Sequence, residues 1–333
     1  MSDKRVSTAQ DLAWRLEALG FDIFTFLFRL LPTDWASWMG GAICKLLGPL
    51  TPSHDVARRN LRLAFPEKDA AWHAATLKAQ WENVGRAFAE FPLMDRIRPS
   101  TGRVEMVNAE RLHEIAANME PCVFVSGHLS NWEVMPAAIV DSGVVCQMTY
   151  RAANNPYVDD RIKKSRFRYG VRLFAPKGGD GARELLDALG KGESVALMND
   201  QKFNNGVEAP FFGHTAHTAP GPSRMALRFG AVLQPMSVQR AKGARFRAVV
   251  HDPIRLVKTG NRAADIETGV RAINAFMEER VRERPEEWFW SSFATSCGLA
   301  STFPFVDATP VLSVLRTTPD EHAQALLDLV SDV

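Results

Sequence analysis

Four cysteines in 333 residues (Cys44, Cys122, Cys146 and Cys297) form no Cys-x-x-Cys pair. That scarcity argues against a disulfide framework or a zinc site and fits buried thiols in a reducing compartment. Charge of one sign is also lacking. The net charge is +2, so no global field points to nucleic acid as a partner. The apolar stretch Phe21–Leu50 comes nearest to a long hydrophobic run, but Asp22, Arg29, Asp34 and Lys45 interrupt it and Pro32 divides it. A membrane-spanning helix needs roughly 18 or more consecutive apolar residues. No internal repeat is visible. The first 18 residues carry Asp11, Arg15 and Glu17 within an amphipathic helical pattern, which is too charged for a signal peptide. The glycines of Lys177-Gly178-Gly179-Asp180-Gly181 lack the spacing of a phosphate-binding loop and read as a turn. His214 and His217, in a Gly/Pro/Thr-rich loop without partner ligands, do not read as a metal site.

What is present is a chain long enough for a sizeable core, 46% hydrophobic and 23% charged. Helical patterns at 53–65 and 69–91 end at Pro66 and Pro92. From about 104 onward the pattern alternates. Apolar runs at 121–126, 144–149, 194–198 and 232–238 predict strands, with helices predicted at 131–141, 156–169, 181–190, 221–229 and 264–283. This alternation predicts an α/β fold with a mixed, partly parallel central sheet flanked by helices. A helical N-terminal layer, 1–50, precedes it. Its Phe21, Phe24, Phe26, Phe28, Trp35 and Trp38 suit an in-plane membrane anchor better than a span; a buried helical hairpin is the competing reading. The α/β domain is then 51–290. Residues 291–333 contain no lysine and one arginine, and read as a separate, partly disordered tail with a weak helix near 319–331.

The most informative string is Gly127-His128-Leu129-Ser130-Asn131-Trp132-Glu133, directly after the apolar run Val123-Phe124-Val125. A histidine can accept a proton near neutral pH, and a nearby carboxylate can hold its tautomer. Residues five apart on one helix are separated by roughly 140° of azimuth. The pair therefore meets only if His128 lies in the turn before the helix and Glu133 in its first two turns. Gly127 permits the turn, and Ser130 or Asn131 would cap the helix. In a parallel sheet such a corner lies at the carboxyl ends of the strands, where ligands bind. On spacing alone, a polar pair that merely starts a helix remains open.

The ordered strings around this corner resemble those of the bacterial lipid A biosynthesis acyltransferases, over roughly residues 10–290. His128 and Glu133 match that family's histidine and acidic residue separated by four positions. Further matches are Asn60-Leu61 with Ala64-Phe65-Pro66-Glu67, Tyr150-Arg151 with Asn154-Asn155-Pro156, Asp200-Gln201, and Pro210-Phe211-Phe212-Gly213 with Ala216 and Thr218. The resemblance implies transfer of a fatty acyl chain from an acyl carrier protein thioester (or acyl-CoA) to a hydroxyl of a glycolipid such as a lipid A precursor. It places the reaction at the cytoplasmic face of the cell inner membrane. His128 would take the hydroxyl proton and Glu133 would orient the imidazole, with no covalent acyl-enzyme, cofactor or metal. Arg166 matches the family's functional arginine. It lies among Arg161, Lys163, Lys164 and Arg168, a cluster able to grip lipid phosphates or an acidic carrier protein, or else to form a solvated helix face. Asp200 ends an apolar strand and can face the same crevice, and Arg151 is a candidate for anionic groups or the developing oxyanion. Phe211-Phe212 reads as an acyl-groove or core wall. Alternatives within the resemblance are another membrane-lipid acceptor or a lipid-binding homologue with impaired catalysis. The chain departs from the family after Trp290, where basic residues would follow.

Overall fold

A computed structural model describes residues 6–150, 152–174, 179–201, 203 and 205–292. Helix α1 (Thr8–Leu30) begins at Ser7, whose hydroxyl accepts the Gln10 N–H. It is one continuous helix that takes in both the charged pattern of the first 18 residues and the apolar stretch from Phe21 to Leu30. It ends before Pro32, which has no amide hydrogen to continue the ladder, and α2 (Thr33–Leu47) follows. Helices α3 (Pro52–Ala64) and α4 (Ala70–Glu90) come next. Helices α2 and α4 cross almost backbone to backbone. A Cβ on Gly85 would lie 2.2 Å from the Gly40 carbonyl oxygen, so only glycine fits at that crossing.

The rest alternates as β1 (Val104–Val107), α5 (Glu110–Asn118), β2 (Cys122–Ser126), α6 (Val134–Asp141), β3 (Cys146–Thr149), α7 (Pro156–Phe167), β4 (Arg172–Phe174), α8 (Gly179–Gly190) and β5 (Ser194–Met198). A hairpin, β6 (Val207–Phe211) and β7 (His214–Thr218), then leads to α9 (Gly221–Phe229), β8 (Val232–Arg240), β9 (Phe246–Val250) and α10 (Arg262–Glu283). Seven strands form one sheet in the order β1-β9-β8-β2-β5-β3-β4. All neighbours are parallel except β8 and β9. The expected mixed, partly parallel α/β sheet is therefore present.

Strand β2 lies at the middle of the sheet and is buried along its whole length. Phe124 and Ala196 join the core beneath α6, together with Phe28, Leu93, Ile139 and Phe246. Val123, Val125 and Val195 join a second core, with Leu185, Leu189, Met225 and Ile273. Burying such side chains stabilises by about 1.5–3 kcal/mol each. A strand covered on both faces therefore reads as an unbroken apolar run. The chain leaves β2 toward β3 and leaves β5 toward β8, on opposite sides of the β2–β5 pair. That divergence opens a crevice at the carboxyl ends of these two strands.

Candidate active site

The register pairs Ser126 of β2 with Met198 of β5, and the Asn199 N–H extends that ladder to the Ser126 carbonyl at 2.9 Å. His128 and Asp200 each lie two residues beyond the pair, so they emerge side by side. The Asp200 Oδ1 lies 2.8 Å from the His128 Nδ1, and its Oδ2 accepts the His128 backbone N–H at 2.6 Å. Gly127 makes this approach possible. A Cβ there would lie 2.8 Å from the Asp200 Oδ2 and 2.2 Å from the Met277 Cε, so the residue is required for space. Its φ is not positive, unlike that of Ser130 (54°), the residue that makes the left-handed step of the loop.

The imidazole partner is thus Asp200, and the expectation that Glu133 orients the ring is corrected. His128 does lie outside the helix, as the spacing argument requires. Glu133, however, precedes the first helical residue, Val134, instead of lying in the first two turns. Glu133 itself holds the N-cap position and no side chain caps α6, so neither Ser130 nor Asn131 is the cap; the Asn131 Oδ1 instead accepts the Glu133 N–H at 3.2 Å in the turn before the helix. From that position the Glu133 carboxylate meets Arg166 through both oxygens and accepts the Tyr169 hydroxyl at 3.0 Å.

Arg166 accordingly faces inward instead of sharing a solvated cationic face. It continues the buried Val158–Ile162 stripe of α7 at four-residue intervals, a periodicity legible in the sequence. Three of the neighbouring cations are tied to carboxylates: Arg161 to Asp22, Lys163 to Asp159 and Lys164 to Asp160. Arg151 lies outside the described residues, as does the tail beyond residue 292. Tyr169, in the turn just past the end of α7, carries no signal in the sequence that singles it out.

Burial by itself would depress the His128 pKa. The charge and hydrogen bond of Asp200, with the Glu133 charge behind them, outweigh it and hold the imidazole above the ordinary histidine value. Burial would likewise raise Asp200. The His128 charge, its ring and backbone N–H, and the Trp288 indole reverse that, holding the carboxyl below the ordinary aspartate value. Burial, then the Glu133 charge, push the Tyr169 phenol well up, so it remains a hydrogen-bond donor.

With Asp200 ionised, Nδ1–H donates to it and Nε2 carries the lone pair. Nε2 has no hydrogen-bond partner among the described residues, and the His128 side chain retains 17% exposure. The Trp132 ring stands edge-on to it at 5.1 Å. Such an arrangement can accept a proton from a hydroxyl placed at Nε2. Among the described residues no group of three or more His, Cys, Asp or Glu side chains is placed to hold a metal. His214 and His217 lie on β7, in a hairpin where a loop was expected, and the His214 Nε2 faces the Leu63 carbonyl. Phe211 and Phe212 are core walls, packed with Phe65, Trp288 and Trp290.

The segment Pro285–Trp290 runs alongside the loop that carries His128. The Ser130 N–H donates to the Glu287 carbonyl at 2.6 Å, the Phe289 N–H donates to the His128 carbonyl, and Leu129 bridges Trp288 in antiparallel fashion. Behind the loop, the fully buried Glu90 accepts from Ser37, Asn131 and Arg240. Neither contribution was read from sequence, because both depend on chain segments 40 to 160 residues away.

The fold and site define a layered α/β protein centred on a histidine tethered to an aspartate at the carboxyl ends of two parallel strands. The chain belongs to the bacterial lipid A biosynthesis acyltransferase family, whose sequence profile matches residues 16–292. It is similar to a lipid A biosynthesis acyltransferase of Haemophilus influenzae, with 26% identity across 56% of this chain and 58% of that protein. It is also similar to the lipid A biosynthesis lauroyltransferase of Escherichia coli, at 24% identity across 71% of this chain and 76% of the relative. The palmitoleoyltransferase of the same organism shares 22% across 80% and 86%.

Proposed function

We propose that the protein transfers a fatty acyl chain from an acyl carrier protein thioester, or acyl-CoA, to a hydroxyl of a lipid A precursor, with His128 as general base. The observation that carries this reading is the Asp200-tethered imidazole whose Nε2 is left without a partner among the described residues. The acceptor hydroxyl loses its proton to Nε2 as its oxygen attacks the thioester carbonyl. The thiolate then leaves, and the imidazolium, stabilised by Asp200, returns the proton to it. Incubating the protein with carrier-protein thioesters and a tetra-acylated precursor should give an acceptor heavier by one acyl chain in the mass spectrum. Free fatty acid released without acceptor, or no product from any thioester, overturns the assignment. The names of the Escherichia coli relatives differ in acyl chain, and the mass increment reads which chain is used here.

We place this chemistry on the cytoplasmic face of an inner membrane, held by residues 1–50. No helix among the described residues is long and apolar enough to cross a membrane. Among the described residues, however, fourteen of the eighteen exposed large hydrophobics fall before residue 51. On α1, Leu12, Leu16, Leu19, Ile23, Phe26 and Leu30 form one outward stripe at helical spacing, continued by Trp35 and Trp38 on α2. The polar side of α1 is occupied: Asp22 pairs with Arg161, and the Trp14 carbonyl and Glu17 accept from Asn155. An apolar face left outward beside a satisfied polar face suits an in-plane helix.

Transfer of a large side chain out of water is worth about 1.5–3 kcal/mol, so replacing Phe26, Trp35 and Trp38 together by serine should weaken vesicle partitioning at least about 100-fold. Those side chains are exposed, so the thermal midpoint should stay within a few degrees. Unchanged vesicle flotation overturns the anchoring role.

A further inference from the structure

We propose that Trp288 is a positioning residue for the His128–Asp200 pair, its indole N–H fixing the Asp200 carboxylate so that Oδ1 faces the imidazole. This rests on the His128 reading above. The Asp200 side chain has no exposed surface, so protein donors replace the water it would otherwise bind. Its Oδ2 accepts two N–H groups, from the His128 backbone at 2.6 Å and from the Trp288 Nε1 at 2.8 Å. The backbone donor belongs to the catalytic loop itself. Trp288 is the donor that enters from a separate chain segment, 88 residues further on.

Its own position is over-determined. Trp288 is fully buried, bridges Leu129, and packs edge-on to Trp290 at 4.7 Å and to Phe211 at 5.9 Å. The Asn60 side chain donates to the Trp290 carbonyl, and the Trp290 indole donates to the Pro285 carbonyl, which anchors the segment at both ends. Loop and carboxylate are therefore held by the same strap, and their separation is set by it.

A donor on Oδ2 also draws charge away from Oδ1. Removing it makes the carboxylate a stronger acceptor for Nδ1–H, which favours the imidazolium. The other charged groups bearing on the ring are Glu133 at the start of α6 and, paired with it, Arg166 on α7; replacement at 288 leaves both in place. The sign is thus fixed: loss of the indole N–H moves the His128 titration to higher pH. The acid limb of kcat/KM moves with it.

Trp288→Phe keeps an aromatic ring and deletes the N–H. A hydrogen bond to a charged group is lost, so kcat should fall roughly 10- to 100-fold with KM for the lipid acceptor within about twofold. The His128 titration, followed by NMR of the full chain, should move upward. Trp290→Phe disturbs the same strap without touching Asp200 and should leave that titration in place. Should the smaller ring unfold the protein, incorporation of β-(3-benzothienyl)alanine at 288 retains the indole shape and lacks only the N–H. An unmoved His128 titration in that variant, or an equal movement in Trp290→Phe, overturns the proposal. The titration needs no turnover, so it is separable from failure of the catalytic reading, which full activity of His128→Ala would show.

Discussion

Asp200→Asn should lower turnover by roughly 10³–10⁴ while leaving the protein folded. The loss matches that seen when a buried aspartate that orients a catalytic histidine becomes an amide. The two donors at Oδ2, the His128 N–H and the Trp288 indole, require an acceptor there and therefore place the amide oxygen on their side. The amide NH₂ then points at Nδ1, which must accept instead of donate. Nε2 becomes the protonated nitrogen and can no longer take the hydroxyl proton. His128→Ala removes the base itself and should cost about 10²–10⁴. Steady-state kinetics on folded protein checks both. Wild-type turnover in Asp200→Asn would rule out the aspartate as the orienting group and return that role to Glu133.

The same substitution carries a stability signature. The raised His128 pKa contributes stability that is complete below the unfolded histidine value and is lost as pH rises through the folded one. The lowered Asp200 pKa contributes stability that is present above the unfolded aspartate value and is lost as pH falls through the folded one. The difference in unfolding free energy between wild type and Asp200→Asn should therefore be widest at mildly acidic pH, where both groups are charged. It should narrow toward either side, as urea titrations at a series of pH values can show.

Glu133→Ala should destabilise the fold by about 3–5 kcal/mol, because it leaves the Arg166 guanidinium buried without its counter-charge. The Glu133 and Arg166 side chains are only 8% and 14% exposed, and the Tyr169 hydroxyl loses its acceptor at the same time. Urea unfolding reads this directly. Removing both charges in Glu133→Leu/Arg166→Met should recover most of the loss, since an apolar pair of similar volume replaces a buried ion pair at little or no cost. A Glu133→Ala variant within about 1 kcal/mol of wild type would overturn the structural role assigned to this pair. Glu133→Gln keeps an acceptor for Tyr169 and separates the two questions. Activity lost in Glu133→Ala but largely kept in the folded Gln variant identifies Glu133 as support for α6 and α7.

Several elements were legible because their covering made them so. Strands β2, β5 and β8 are central and read as apolar runs, whereas β3 alternates in burial and is legible through the Val144-Val145-Cys146 run that leads into it; the predicted α9 matches its observed bounds, Gly221–Phe229. Strands β1, β4 and β9 were not identified. The first two lie at the sheet edges, and β9 alternates buried with more exposed residues. The hairpin β6–β7 reads as a loop in the sequence because its turn is unusual. Phe212 and Gly213, at φ 50° and 73°, make a two-residue connection in which both residues are left-handed, a conformation that favours Asn or Gly. Phe212 adopts it because its ring is buried against Phe65 and Trp290.

By itself the sequence determined that a histidine lies just past a buried strand, outside the following helix. The apolar run Val123-Phe124-Val125, ending at Gly127, marks that corner without any assumption about the partner carboxylate. The sequence also determined the α/β class, because strands covered on both faces must be apolar throughout. Which carboxylate meets the imidazole was decided only by the tertiary structure. Asp200 is 72 residues from His128, and the two meet because β2 and β5 are neighbours in register, with Gly127 leaving room between them. Strand order is a property of the packed sheet, since many pairings bury the same apolar runs, and so the His128–Glu133 spacing named the corner while the sheet chose the partner.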